Sequence, residues 1–145
     1  MTQQIDPRGP RFGAGITAVL SLAGLFLQLE SNPAAPILTV LIFALFLWSV
    51  ALPKSHPSAL IFSRLVRPRL SAPDHLEDAR PPRFAQQVGF GFATLGIIGL
   101  LFGSDLLLTL SFAFIFVAAF LNAAFDFCLG CQMYLLLKRA GLLGK

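Results

Sequence analysis

Charge is what this sequence has least of. Of its 145 residues only 12% are charged, 11 Lys or Arg and 7 Asp or Glu, while 56% are hydrophobic and the mean hydropathy is +0.76. A soluble domain carries about a quarter charged residues, so the composition excludes an ordinary soluble fold. Cysteine is nearly absent as well: Cys128 and Cys131 are the only 2. A zinc or iron–sulfur centre needs about four ligands. His56 and His75 are loop residues that would have to fold back, or a second copy would have to supply the rest, so no metal is expected. Covalent haem attachment requires His directly after the second Cys, and Gln132 stands there. No cofactor is expected. Missing too are a Ser/His/Asp triad, a phosphate-binding glycine loop, a kinase-like motif and any chain of buried carboxylates for a proton or ion path. No A-x-A-like exit follows the first apolar run, so Met1 is expected to begin the mature protein.

What is present is apolar sequence in long blocks, over residues 12–29, 33–52, 85–102 and 106–125. A helix crossing the hydrocarbon core needs roughly 20 mostly apolar residues. With no water there to satisfy backbone amides, each block should be helical. The expectation is an all-α membrane protein of one domain over residues 1–145, with four transmembrane helices and a loop at 53–84. The basic residues Arg8, Arg11, Lys54, Arg64, Arg67, Arg69, Arg80, Arg83, Lys138, Arg139 and Lys145 fall in the two tails and that loop. The turns at 30–32 and 103–105 hold none. Bases in short loops stay cytoplasmic, which places both termini and the central loop in the cytoplasm. The net charge of +4 then reads as topology anchors and contacts to anionic headgroups of membrane lipids, and no nucleic-acid partner is expected.

The halves resemble each other. Pro10-Arg11-Phe12 returns as Pro82-Arg83-Phe84, and at the same offset Gly24 meets Gly96. Two hairpins in parallel orientation, packed as one bundle, are expected. Gly13, Gly15, Gly24, Gly89, Gly91, Gly96 and Gly99 are candidates for close helix contact. In the loop, residues 58–70 interleave Leu60, Ile61, Phe62, Leu65 and Val66 with Arg64, Arg67 and Arg69. That pattern suits a short interfacial helix with its arginines toward phosphates, stopped near Val66 by Pro68. Arg64, Arg67, Arg69 and Arg83 are thus the candidate lipid or partner contacts. The acidic stretch that follows reads as a solvated loop with local ion pairs or as a docking surface for a soluble partner.

Cys128 and Cys131 are three apart, so on a helix they share a face. Counting from Leu106, they fall at the cytoplasmic boundary, with Tyr134, Lys138 and Arg139 continuing the helix outward. A reducing compartment disfavours a structural disulfide. The remaining readings are a reactive dithiol, which needs C-x-x-C spacing and an accessible sulfur, lipidation, or two small apolar packing residues. Asn122 and Asp126, four apart, share another face. Asp126 is a weaker catalytic candidate as a proton acceptor, or pairs with Arg83 or Arg11.

Several segments, in order, carry a family resemblance. They are Asp6-Pro7-Arg8-Gly9-Pro10-Arg11-Phe12, Leu65-Val66-Arg67-Pro68-Arg69, Leu76-Glu77-Asp78, Pro81-Pro82-Arg83-Phe84-Ala85-Gln86 and Phe127-Cys128-Leu129-Gly130-Cys131. Together they resemble a bacterial membrane family catalogued as domain of unknown function 4395. The resemblance implies a bacterial plasma membrane and, by association, thioredoxin-like or sulfurtransferase partners, but no established activity. Two functions are therefore carried forward. One is thiol redox or sulfur relay through Cys128 and Cys131. The other is a non-enzymatic accessory subunit of a larger membrane complex, its cysteines structural. Quinone-linked thiol oxidoreductases also join four helices to C-x-x-C, but theirs work outside the membrane with further cysteines.

Overall fold

The structure, a computed structural model, describes residues 4–6, 8–52, 55–72, 76–78, 80–125 and 127–141. Asp74, His75 and Asp126 lie outside these. Four helices are long and apolar enough to cross a membrane: α1 (Arg8–Leu29), α2 (Ala34–Ala51), α4 (Arg80–Phe102) and α5 (Asp105–Phe125). Two shorter pieces complete the order, α3 (Pro57–Ile61) and α6 (Leu129–Arg139). A two-residue antiparallel pairing joins β1 (Gln4–Ile5) to β2 (Glu77–Asp78).

The first and third spans begin four and five residues before the apolar runs do, because an aspartate holds each start. The Asp6 carboxylate accepts from the Arg8 backbone N–H at 3.0 Å and from its guanidinium at 2.8 Å. Asp78 does the same for Arg80, at 2.9 and 2.7 Å. Each carboxylate satisfies an orphan amide, faces the positive helix end and neutralises the arginine. Pro10, Pro81 and Pro82 sit in the first turn, where a missing N–H costs nothing.

The constant step between these elements is 72 residues, from residue 6 to residue 78. It relates most of the described elements, although the π and 3-10 turns of Phe62–Arg69 have no counterpart in α6. Helix starts at 8 and 57 recur at 80 and 129. Ser31 at φ 56° and Gly103 at φ 65° make corresponding left-handed turns. The Phe12–Phe62 ring pair, centroids 5.9 Å apart, recurs as Phe84–Tyr134 at 5.7 Å. The register Ile5↔Glu77 and Gln4↔Asp78 places β1 opposite the corresponding segment of the other half.

Arg11 at the start of α1 donates to the Ala123 carbonyl at the end of α5, 3.1 Å away. Gln28 at the end of α1 donates to Asp105 at the start of α5, also 3.1 Å. These helices are antiparallel, and Ser49–Gln86 (3.0 Å) ties the end of α2 to the start of α4. The starts of α1 and α4, the ends of α2 and α5, residues 57–69 and α6 therefore share one end of the bundle. The basic residues described are all on these segments. The core is Ile42, Ala93, Phe112 and Ile115. Glycine admits it: a Cβ at Gly24 would strike the Phe112 ring, and one at Gly96 would lie 2.7 Å from the Ser111 hydroxyl. Gly91 has open space and is no contact point.

Two expectations change. Pro68 does not stop the loop helix at Val66: α3 passes through a π turn (Phe62–Val66) into a 3-10 turn (Arg67–Arg69). A 3-10 turn accepts proline near its start, where the N–H would be an orphan. The last helix does not continue outward from the fourth span. The fourth span ends at Phe125 and α6 starts as a separate helix at Leu129.

Gly24→Leu should lower stability by about 1–3 kcal/mol through overpacking, read as a lower unfolding midpoint in detergent. Gly91→Leu should leave that midpoint unchanged. The Asp6 and Asp78 carboxyls are held below their ordinary value of 3.8, first by hydrogen bonds from Arg8 and Arg80. A depressed carboxylate stabilises the fold above the unfolded value and loses that contribution as pH falls through the folded one. The contribution of these two carboxyls to the unfolding midpoint should be fully present above about pH 5 and be lost below pH 3.8. Asp6→Asn with Asp78→Asn should flatten that acid limb, and an unaltered limb would refute the assignment.

Candidate functional site

The cysteine pair sits where α6 begins. Cys128 is extended, at φ −89° and ψ 105°, and its Sγ accepts the backbone N–H of Cys131 at 3.1 Å. Its carbonyl accepts from Gln132 N–H at 3.0 Å. It thus caps the helix in the way a serine or aspartate side chain does. Gly130 lets this first turn lie on α4, since a Cβ there would come 2.5 Å from Ala85.

The two sulfurs are joined as a disulfide, with Cα atoms 5.1 Å apart. This departs from the expectation that the compartment disfavours a bridge. The local reason is geometric: one helical turn places the two Cα atoms inside the range that a disulfide spans. Both residues are half-exposed. The Cys131 N–H and the positive end of α6 face the Cys128 sulfur. Lys138 and Arg139 lie in the last turn of α6, two to three turns off. The Asp126 candidacy falls outside the described residues, so no geometry is assigned to it. Arg11 reaches Ala123 next to that segment.

Behind Cys128 lies a cavity of about 210 Å³. Its walls include Ala85, Val88, Gly89, Phe92, Phe114 and Val117. Subtracting the 72-residue step from each gives Gly13, Ile16, Thr17, Leu20, Ile42 and Leu45. All six line a second cavity, of about 220 Å³. The repeat therefore builds the cavity twice, and at the capping position the first half carries His56 where the second carries Cys128.

His56 went unremarked in the sequence beyond its rejection as a metal ligand. Its Nδ1 accepts the Ser58 N–H at 3.2 Å and lies 2.8 Å from the Ser58 hydroxyl, while Nε2 is 3.0 Å from the Leu45 carbonyl. The network assigns the proton to Nε2, and burial pushes the imidazole below its ordinary value. The signal for it was available, because the step from Asp6 to Asp78, carried past the second span, sets His56 against Cys128. Of the candidate contacts, Arg64, Arg67 and Arg69 are exposed on 57–69, and Arg83 is exposed in the first turns of α4. Arg67 and Arg83 line one vestibule beside His56. Nothing places Arg64 or Arg69 there. Among the described residues no three His, Cys, Asp or Glu side chains converge.

A model of the family described as Domain of unknown function (DUF4395) matches residues 5–139. No curated protein and no solved structure matches the chain.

After reduction, alkylation at neutral pH should modify Cys128 faster than Cys131. Peptide mapping after short labelling reads the order, and preferential labelling of Cys131 would contradict the capping argument.

Proposed function

The chain belongs to the DUF4395 family, and from that premise we propose a membrane thiol-exchange protein whose working groups are Cys128 and Cys131. What supports the reading is one arrangement: the only two cysteines share the first turn of a helix, half-exposed and bonded to each other. On this reading the basic end faces the cytoplasm of a plasma membrane. The support is the charge rule: the described bases gather at that end, while the opposite turns hold Glu30 and Gly103 but no base. The partner is a soluble thioredoxin-like or sulfurtransferase protein approaching residues 57–72 and α6.

In the reducing direction the Cys128 thiolate attacks the partner's disulfide. A Cys128–partner bond forms, and the partner's other sulfur leaves as a thiolate that takes a proton from water. Cys131 gives its proton to solvent and attacks Cys128 Sγ, which closes the Cys128–Cys131 bond and releases the partner's second thiol. Two electrons pass to the partner, and the same steps run backward reduce the pair.

Cys131→Ser should leave the mixed disulfide unresolved, so a partner should be captured on Cys128 and released by dithiothreitol. Cys128→Ser should capture far less. Equal absence of capture, together with loss of a larger assembly on native gels in both variants, would instead establish the accessory-subunit reading.

A further inference from the structure

The two cavities of the repeat differ on the side that faces the bilayer. Phe114 and Val117 line the cavity behind Cys128 and are also 47% and 48% exposed. They are three apart on α5 and share a face, so this edge of the cavity is its boundary with the surrounding hydrocarbon. At the corresponding positions of the other half, Ile42 is 3% exposed and Leu45 is half-buried. The twin is closed where this cavity opens.

Polarity is confined to the cysteine end. Gln86, in the second turn of α4, and Asn122, in the last turn of α5, bring two side-chain amides to that end. Gln86 Oε1 accepts from the Ser49 hydroxyl at 3.0 Å, which leaves its NH2 group to donate elsewhere. The Asn122 amide has no hydrogen-bond partner among the described residues. About two helical turns deeper, the Phe92 and Phe114 rings lie with centroids 5.3 Å apart and form an aromatic wall. An apolar cavity of about 150 Å³ already admits benzene, so the volume of about 210 Å³ suits one substituted six-membered ring.

A molecule that fits here enters from the membrane, carries a flat ring, accepts two hydrogen bonds and meets a sulfur pair. A hydrocarbon chain would leave both amides unanswered, and a water-soluble oxidant gains nothing from a lateral opening. A lipid-soluble quinone has the ring, two carbonyls and an alkyl tail for the gap at Phe114 and Val117. We propose that this cavity binds the head of such a quinone and that the Cys128–Cys131 couple passes electrons to it. The proposal rests on the thiol-exchange reading and extends it: soluble thiols reduce the pair and the quinone reoxidises it. One dithiol and one quinone each exchange two electrons, so no further cysteines are needed.

In the transfer, the Cys128 thiolate adds to a ring carbon, and the displaced electron pair settles on a carbonyl oxygen held by an amide N–H. That oxygen takes a proton. Cys131 gives up its proton and attacks Cys128 Sγ. The carbon–sulfur bond breaks, its electron pair passes through the ring to the second oxygen, and that oxygen is protonated. Two thiols and one quinone become one disulfide and one hydroquinone.

The test is anaerobic mixing of the reduced full-length protein in detergent with decylubiquinone, whose fully substituted ring resists permanent arylation. Thiol counting and quinol absorbance are followed together. One quinol should form for every two thiols lost, at a rate that saturates with quinone. Val88→Trp, which fills the cavity, should abolish that saturable rate, and Ile16→Trp, which fills the twin, should leave it unchanged. Asn122→Leu should raise the half-saturating quinone concentration about five-fold through one lost hydrogen bond. It keeps the test available if the filled variant does not fold. The proposal is overturned if no quinol forms, whether or not an alkyl hydroperoxide closes the pair, or if the two tryptophan variants behave alike. Partner capture by Cys131→Ser needs no quinone. Capture without quinol formation therefore defeats this inference alone, and absence of capture in both cysteine variants defeats the thiol reading beneath it.

Discussion

Arg8 and Arg80 are each gripped by the aspartate two residues before it, and the arrangement of the basic end follows from those grips. A helix that begins with an arginine at a membrane boundary has unsatisfied amides and an unbalanced charge at the same place. One carboxylate answers both, because it caps the backbone and pairs the guanidinium at once. The grip is also local, formed within three residues, so it needs no tertiary structure to begin. With both starts fixed, the pairing of Ile5 with Glu77 joins the two halves. Each first helix then meets the second helix of the other half, α1 on α5 and α4 on α2.

The second consequence is repetition of detail. The same step that relates the grips relates the turns at Ser31 and Gly103, the Phe12–Phe62 and Phe84–Tyr134 pairs, and the two cavities. Identity between the halves is sparse, yet the step is kept without an insertion. Packing explains this, since a helix in lipid is held mostly by shape and small residues. Phe can stand for Tyr at residue 62 or 134, and Gly for Ser at 58 or 130, while the backbone path stays the same. Chemistry, by contrast, is free to diverge at the capping positions.

The spans were legible because hydrocarbon leaves a peptide no alternative to a helix, and the apolar runs at 12–29 and 106–125 say so directly. Their early starts were not, because Arg8 and Arg80 count against a span in any hydropathy reading. Only the preceding aspartates reverse that. The break before α6 was hidden for a similar reason. Phe127, Cys128 and Leu129 continue an apolar composition, and nothing in composition reveals that a sulfur is acting as a cap. The cysteines could be singled out from their count and spacing. The cavity behind them, and His56 opposite, depend on residues far apart in sequence, such as Val88 and Phe114. The offset of 72 residues that relates Pro10-Arg11-Phe12 to Pro82-Arg83-Phe84, and Asp6 to Asp78, was the available guide.

The central claim is that Cys128 and Cys131 form a working couple rather than a fixed brace. The most direct measurement is the midpoint potential of the full-length protein in detergent, from thiol counting across a series of glutathione or dithiothreitol buffers. A working couple is predicted to titrate reversibly as a two-electron step at a potential more oxidising than about −300 mV, where exchange proteins operate. A bridge that stays closed through that range in the folded protein, opening only on unfolding, would contradict it.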